Sequence, residues 1–276
     1  LVLQLVLNLS NMALDVLFVL GLGWDVRGVA LGTVLAECLA ASVGLVLAWR
    51  HLRAAGAGWH WPSLLQGAAL ARTVRVNRDI MVRSLALIAV FVWFMAQGAH
   101  HGDVRLAANA VLMQFIAVSA YFLDGLAFAA EALVGRAVGA GRRVIFSAAV
   151  RLSTLWAVVI AGAISAVLAL AGGPCIDLMV VDPGVRAVAR DYLPWAAGAP
   201  LLGVWAFQLD GIFIGATRTA DMRRAMLLSL LIFLLAWWLL RPWGNHGLWA
   251  ALYVHYLART ATLGWHYPAL RRSVPA

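Results

Sequence analysis

Apolar residues follow one another in eight long runs, each closed by a cluster of Arg, Asp, Gly or Pro. The runs are Leu1 to Leu20, Val29 to Trp49, Met81 to Gly98, Leu106 to Phe128, Phe146 to Leu170, Tyr192 to Ile214, Met222 to Leu240 and Gly247 to Tyr267. A helix rising 1.5 Å per residue needs about 20 residues to cross the hydrocarbon of a bilayer, so each run predicts one span. Barrel strands would instead alternate polar and apolar positions over about 10 residues, which these runs do not do. The pattern predicts an all-α polytopic membrane protein with eight transmembrane helices. Charge gathers between Arg50 and Asn77, where Gly56, Gly58 and Pro62 interrupt the apolar pattern. This predicts an inner linker over residues 50–80 between a two-helix part, residues 1–49, and a six-helix part, residues 81–276. A short interfacial helix is expected from Ser63 to Arg75, with Trp59 and Trp61 at headgroup depth.

Composition narrows the function classes. Of 276 residues 64% are hydrophobic and 12% charged, roughly half the charged share of a soluble chain, which excludes a water-soluble enzyme core, a nucleic-acid-binding domain and a disordered chain. The net charge of +9 comes from 21 basic residues, all of them Arg. With the 50–80 linker placed inside, sixteen of these fall on inner segments and only Arg27, Arg105, Arg186, Arg190 and Arg241 fall outside. That asymmetry is a topology signal of a multi-pass protein of the inner or plasma membrane, and it needs no nucleic-acid partner. Cys38 and Cys175 are far apart in or beside apolar segments and are expected to be buried free thiols.

Chemistry-bearing residues are few. Gln4, Asn8, Asn11 and Asp15 are spaced 4, 3 and 4 apart and so share one face of the first helix. An acid within a span is costly unless it is paired, protonated or faces a cavity. Thr33 in the second span lies at about the same depth as Asp15, and Asn11 is one turn deeper. Carboxylate, amide and hydroxyl oxygens form a hard cluster suited to Na⁺, or to a proton, because burial favours the neutral form of a carboxylic acid. Glu37, one turn beyond Thr33, either joins this cluster or pairs with a further helix. Asp124 and Asp210 lie towards the inner ends of their spans, near Arg136, Arg218, Arg223 and Arg224, where they are expected to form gate or helix-joining salt bridges, or to contact a substrate. Gly135, Gly139 and Gly141 follow no strand and precede no Lys, so helix packing is expected there and not a phosphate loop. His100, His101 and Asp103 fall in a short outer loop, and no protease motif is present. No cofactor is expected.

Several of these stretches resemble the DinF-like branch of the multidrug and toxic compound extrusion (MATE) transporters. They are NLSNMALDVLFVLGLGWDVRGVALGTVLAE (8–37), NRDIMVRSL (77–85), LAANAVLMQF (106–115), YFLDGLAFAAEALVGRAVGAG (121–141) and DGIFIGATRTADMRRAM (210–226). The family has twelve helices in two six-helix lobes. The resemblance implies that this chain supplies the last two helices of the first lobe and a complete six-helix second lobe, with four preceding helices expected. It further implies that Asn11, Asp15 and Thr33 match a cation site, completed in relatives by an acid on the family's first helix. The third span, from Met81, contains no acid or Asn, so cation coupling is expected only in the first lobe.

The resulting expectation is part of a cation-coupled antiporter, driven by protons or Na⁺, that exports small amphipathic or cationic molecules and is incomplete alone. Two alternatives stand beside it: a flippase for lipid-linked precursors, which would need basic residues inside its cavity, and a non-transporting membrane subunit or truncated product.

Overall fold

The computed structural model describes residues 2–54, 56 and 66–275. Among them there is no strand. The helices are α1 (Val2–Asp15), continued by a π-helical turn (Val16–Gly21), α2 (Asp25–Ala54), α3 (Gly67–Ala99), α4 (Asp103–Gly139), α5 (Arg143–Met179), α6 (Pro183–Gly215), α7 (Thr219–Leu240), α8 (Gly244–Gly264) and the short α9 (Tyr267–Ser273). Among the described residues seven helical stretches are long and apolar enough to cross a membrane, the last being the 55 residues of Thr219–Ser273. At 1.5 Å per residue that stretch would measure about 80 Å, and it doubles back. The 3₁₀ turn Arg241–Trp243 and Gly244, with φ of 58°, reverse the chain. Ser229 then meets His255 and Ala225 meets Thr262, so α7 and α8 form an antiparallel hairpin of two span-length helices.

Several helices outrun the predicted spans. α4 continues to Gly139 and α5 to Met179, because hydropathy marks only the part within hydrocarbon. α4 stops where Gly141 turns the chain with φ of 64°. α3 departs furthest from expectation. One continuous helix replaces the separate interfacial helix and later span, and Asn77 and Asp79 lie within it. No Pro interrupts this sequence, and Asp79, 2% exposed, is neutralised by Arg223 of α7. Trp59, Trp61 and Ser63 lie outside the described residues.

The chain divides into two compact units, Leu1–Leu70 and Ala71–Ala276. In the first, α1 packs along α2. The only buried residues of α2 are Gly28, Gly32 and Ala36, a small residue every fourth position, which lets two backbones approach closely. A Cβ at Gly28 would stand 3.0 Å from Phe18 Cβ, and one at Gly32 would stand 2.5 Å from Asp15 Oδ1.

In the second unit α6 packs against α4, α5 and α8. Gly211 and Gly215 of α6 press on the backbone of Ala127 and Glu131 of α4, leaving no room for a side chain. The outer half of the core is built on Phe94, Leu112, Phe233, Trp249 and Leu252, and the inner half on Val134, Phe146, Phe213, Met222 and Leu263. A buried polar triad joins α4 to α8. Asn109 and Asn245 exchange amide hydrogen bonds of 2.8 and 3.0 Å, and Trp249 Nε1 donates to Asn109 Oδ1 at 3.0 Å. Such pairing satisfies polar groups that lipid cannot. Outward faces are apolar, Leu170 and Leu178 being more than four-fifths exposed. Cys38 and Cys175 are free but exposed, not buried as expected. An apolar helix face need not be one that packs inside the chain, and these thiols lie on faces that the described residues leave uncovered.

Candidate functional site

The polar face of α1 meets α2 at its C-terminal turns. Gln4 and Asn8 are exposed and joined by a 3.3 Å hydrogen bond. Asn11 Nδ2 donates to Thr33 Oγ1 at 3.3 Å, while the Thr33 hydroxyl donates to Val29 O at 3.0 Å, which leaves its lone pairs towards Asn11. One turn further, Asp15 closes α1 where the helix widens into the π turn, a distortion frequent at functional sites. Its Oδ1 is buried, lies against Gly32 and has no hydrogen-bond partner among the described residues. The structure therefore brings Asn11, Asp15 and Thr33 to one stretch of the α1–α2 contact. An unpartnered buried carboxylate oxygen is costly, and a cation or proton relieves that cost. Glu37 is exposed on α2 and forms no salt bridge among the described residues.

The acids of the second unit have different surroundings. Asp210 of α6 accepts from Arg259 of α8 at 2.6 Å and from Arg83 of α3, forming a buried triad with one net positive charge. Arg136, Arg218, Arg223 and Arg224 do not take the expected part. Arg218 holds Asp221 at 2.8 Å and Arg223 holds Asp79. The reason is adjacency, since α8 lies beside α6 and brings Arg259 to Asp210. Asp124 of α4 forms no salt bridge among the described residues and lines a cavity of about 520 Å³. Phe91, Met95, Met113, Phe207 and Tyr256 give that cavity apolar walls, and Gln114 and Arg259 share its polar side. A few polar groups on aromatic walls suit an amphipathic molecule.

The sequence pattern of the MatE family matches residues 80–239. The chain belongs to the MATE family. It is 39% identical over 267 residues to DNA damage-inducible protein F of Escherichia coli (strain K12), covering 95% of this chain and 57% of that protein. It is 24% identical over 265 residues to Protein DETOXIFICATION 44, chloroplastic, of Arabidopsis thaliana, covering 94% of this chain and 49% of that protein. The chain thus spans about half the length of the curated relatives it matches. Its fold matches the Vibrio cholerae MATE transporter VcmN in the bent form with a TM-score of 0.84 at 18% identity, over 99% of this chain and 62% of that one. A point mutant of VcmN matches with a TM-score of 0.86 at 19% identity, over the same shares.

In this MATE chain the remaining sequence features are structural. Gly135 faces Gly215, and Gly141 turns the chain between α4 and α5. His101 sits in the outer turn before α4, where partial burial, then the charges of Arg105 and His100, hold it below the ordinary histidine range. Pro194 and Pro200 lie inside α6, where Tyr253 Oη donates to Trp195 O at 2.6 Å and satisfies a carbonyl of the proline-disturbed stretch. Sequence reasoning missed Gly32, which sets the space around Asp15, although Gly28, Gly32 and Ala36 display the small-residue repeat. It also missed the π turn and the pairing of Asp79 with Arg223, which joins helices distant in sequence.

Proposed function

We propose that this chain forms part of a cation-coupled antiporter of the inner or plasma membrane that exports small amphipathic, often cationic molecules. Asn11, Asp15 and Thr33 take the coupling Na⁺ or proton, and Asp124 meets the exported molecule in the cavity of the second unit. The observation that carries this reading is the buried, partnerless Oδ1 of Asp15, one turn from the Asn11–Thr33 hydrogen bond. A loaded cation neutralises the carboxylate, whereas an empty site leaves a bare charge in a medium of low dielectric. Loading therefore shifts the balance between conformations, and a gradient turns that shift into work. The test is export by the full-length protein in vesicles under imposed Na⁺ or proton gradients. Export that ignores both gradients removes the proposal.

Two variants separate the contributions. Thr33→Ala removes one oxygen from a Na⁺ shell, and one polar contact to a charge is worth roughly tenfold in affinity. Half-maximal Na⁺ for transport should rise by about that factor, with proton dependence unchanged, since protonating Asp15 needs no hydroxyl. Gly32→Ala places a methyl where the Asp15 carboxylate now lies. The carboxylate is the free end of its side chain and swings aside at little cost, while Ala gains about 1 kcal/mol of helix propensity over Gly. Thermal stability should be nearly unchanged and gradient-driven export lost, an outcome read from melting and vesicle transport on one preparation.

A further inference from the structure

The inner end of the second unit carries a basic cavity separate from both sites above. Arg143 opens α5, and Tyr267, Pro268, Arg271 and Arg272 belong to α9; together they line about 320 Å³. The frame around it is fixed. Arg143 Nε donates to Val274 O at 2.9 Å, its Nη2 to Arg272 O at 3.4 Å and its backbone N–H to Pro275 O at 3.0 Å. The Tyr267 ring stacks on Phe146 with centroids 6.3 Å apart, and Leu270 and Val274 are buried in the inner core. Elsewhere on this rim the acids Asp79, Asp210 and Asp221 each hold an arginine. Among the described residues Arg143, Arg271 and Arg272 have no carboxylate partner. Three like charges thus surround one cavity, and no carboxylate of the described residues pairs with them. Beside them on the chain stand large apolar residues open to the surroundings, Val144 at 80% and Trp265 at 85% exposure.

We propose that this cavity binds the phosphate of an anionic phospholipid of the inner leaflet. Guanidinium groups match phosphate oxygens through paired, charge-assisted hydrogen bonds, and the Tyr267 hydroxyl adds a neutral donor. The arginine asymmetry puts the cavity on the inner side, where basic pockets between helices meet anionic headgroups. Free phosphate shares the headgroup chemistry, but it makes no use of the exposed Val144 and Trp265, whose apolar surfaces suit glycerol and acyl chains. The lipid accounts for both the charge and the apolar border.

The test uses the full-length protein reconstituted with equal phosphatidylglycerol and phosphatidylcholine, extracted in mild detergent, with the retained lipid measured by mass spectrometry. Phosphatidylglycerol should be retained over phosphatidylcholine, and Arg271→Gln with Arg272→Gln should weaken that retention roughly thirtyfold. These two side chains are exposed, so the fold is expected to survive, and melting of the same sample verifies it. Arg72→Gln with Arg75→Gln removes equal charge from the inner side away from the cavity and should leave retention unchanged. Equal retention of the two lipids overturns the proposal, as does an equal loss in the Arg72 and Arg75 variant, which would mean diffuse surface charge. Displacement of phosphatidylglycerol by millimolar inorganic phosphate overturns the lipid as ligand and assigns the cavity to free phosphate.

Discussion

Asp15→Asn in the full-length protein is expected, on the proposed function, to abolish gradient-driven export while the protein still folds. Asn keeps nearly the volume of Asp and occupies the same place against Gly32. It also replaces a charged oxygen, buried without a partner among the described residues, by a neutral amide group that costs less to bury, so stability should not fall. What disappears is the charge. A neutral amide gains little from Na⁺ and does not take up a proton, and the free energies of the loaded and empty states then cease to depend on the gradient. Binding of the exported molecule in the cavity beside Asp124 is expected to continue, because that cavity belongs to the other compact unit. Ligand binding by fluorescence and gradient-driven transport, measured on the same vesicles, test both halves. Transport at the parental rate with normal gradient dependence would mean that Asp15 is a packing residue.

The parts of this picture visible in the sequence are those governed by short-range periodicity. Spacings of 4, 3 and 4 put Asp15 and Asn11 on one face, and a tight outer turn put Thr33 opposite, because a hairpin of two spans leaves little freedom in register. Hydropathy located the spans for the same reason, though it placed the end of α4 about ten residues short, since a helix continues through polar sequence wherever no residue breaks it. Asp79 falls within the expected linker over residues 50–80, and only the packing of α3 on α7 reveals that it is buried against Arg223. The partners of Asp210 were hidden more deeply. Arg83 and Arg259 lie 127 and 49 residues away, and which helices adjoin α6 is a property of the bundle. Exposure of Cys38 and Cys175 was equally out of reach, because apolar sequence does not distinguish a face turned to protein from one turned to lipid.

The Asp210 triad yields the largest expected effect on stability. Arg259 is 5% exposed and Arg83 15%, and both guanidinium groups bond the same Oδ2 of Asp210. Removing one partner of a buried ion pair costs about 3–5 kcal/mol, chiefly because the other charge is left without compensation. Asp210→Asn leaves two such charges. The variant should melt roughly 10 °C lower, taking about 2–4 °C per kcal/mol for a unit of this size. Arg83→Gln acts in the opposite sense on the charge balance. It converts a triad of net charge +1 into the neutral Asp210–Arg259 pair, so the loss should be clearly smaller than that of Asp210→Asn. The double variant Asp210→Asn with Arg83→Gln strands only Arg259 and should melt above Asp210→Asn alone. This reversal, in which a second substitution restores stability, distinguishes charge compensation from simple packing. If the double variant melts lower than either single one, Asp210 is holding α3, α6 and α8 together by contact and not by charge.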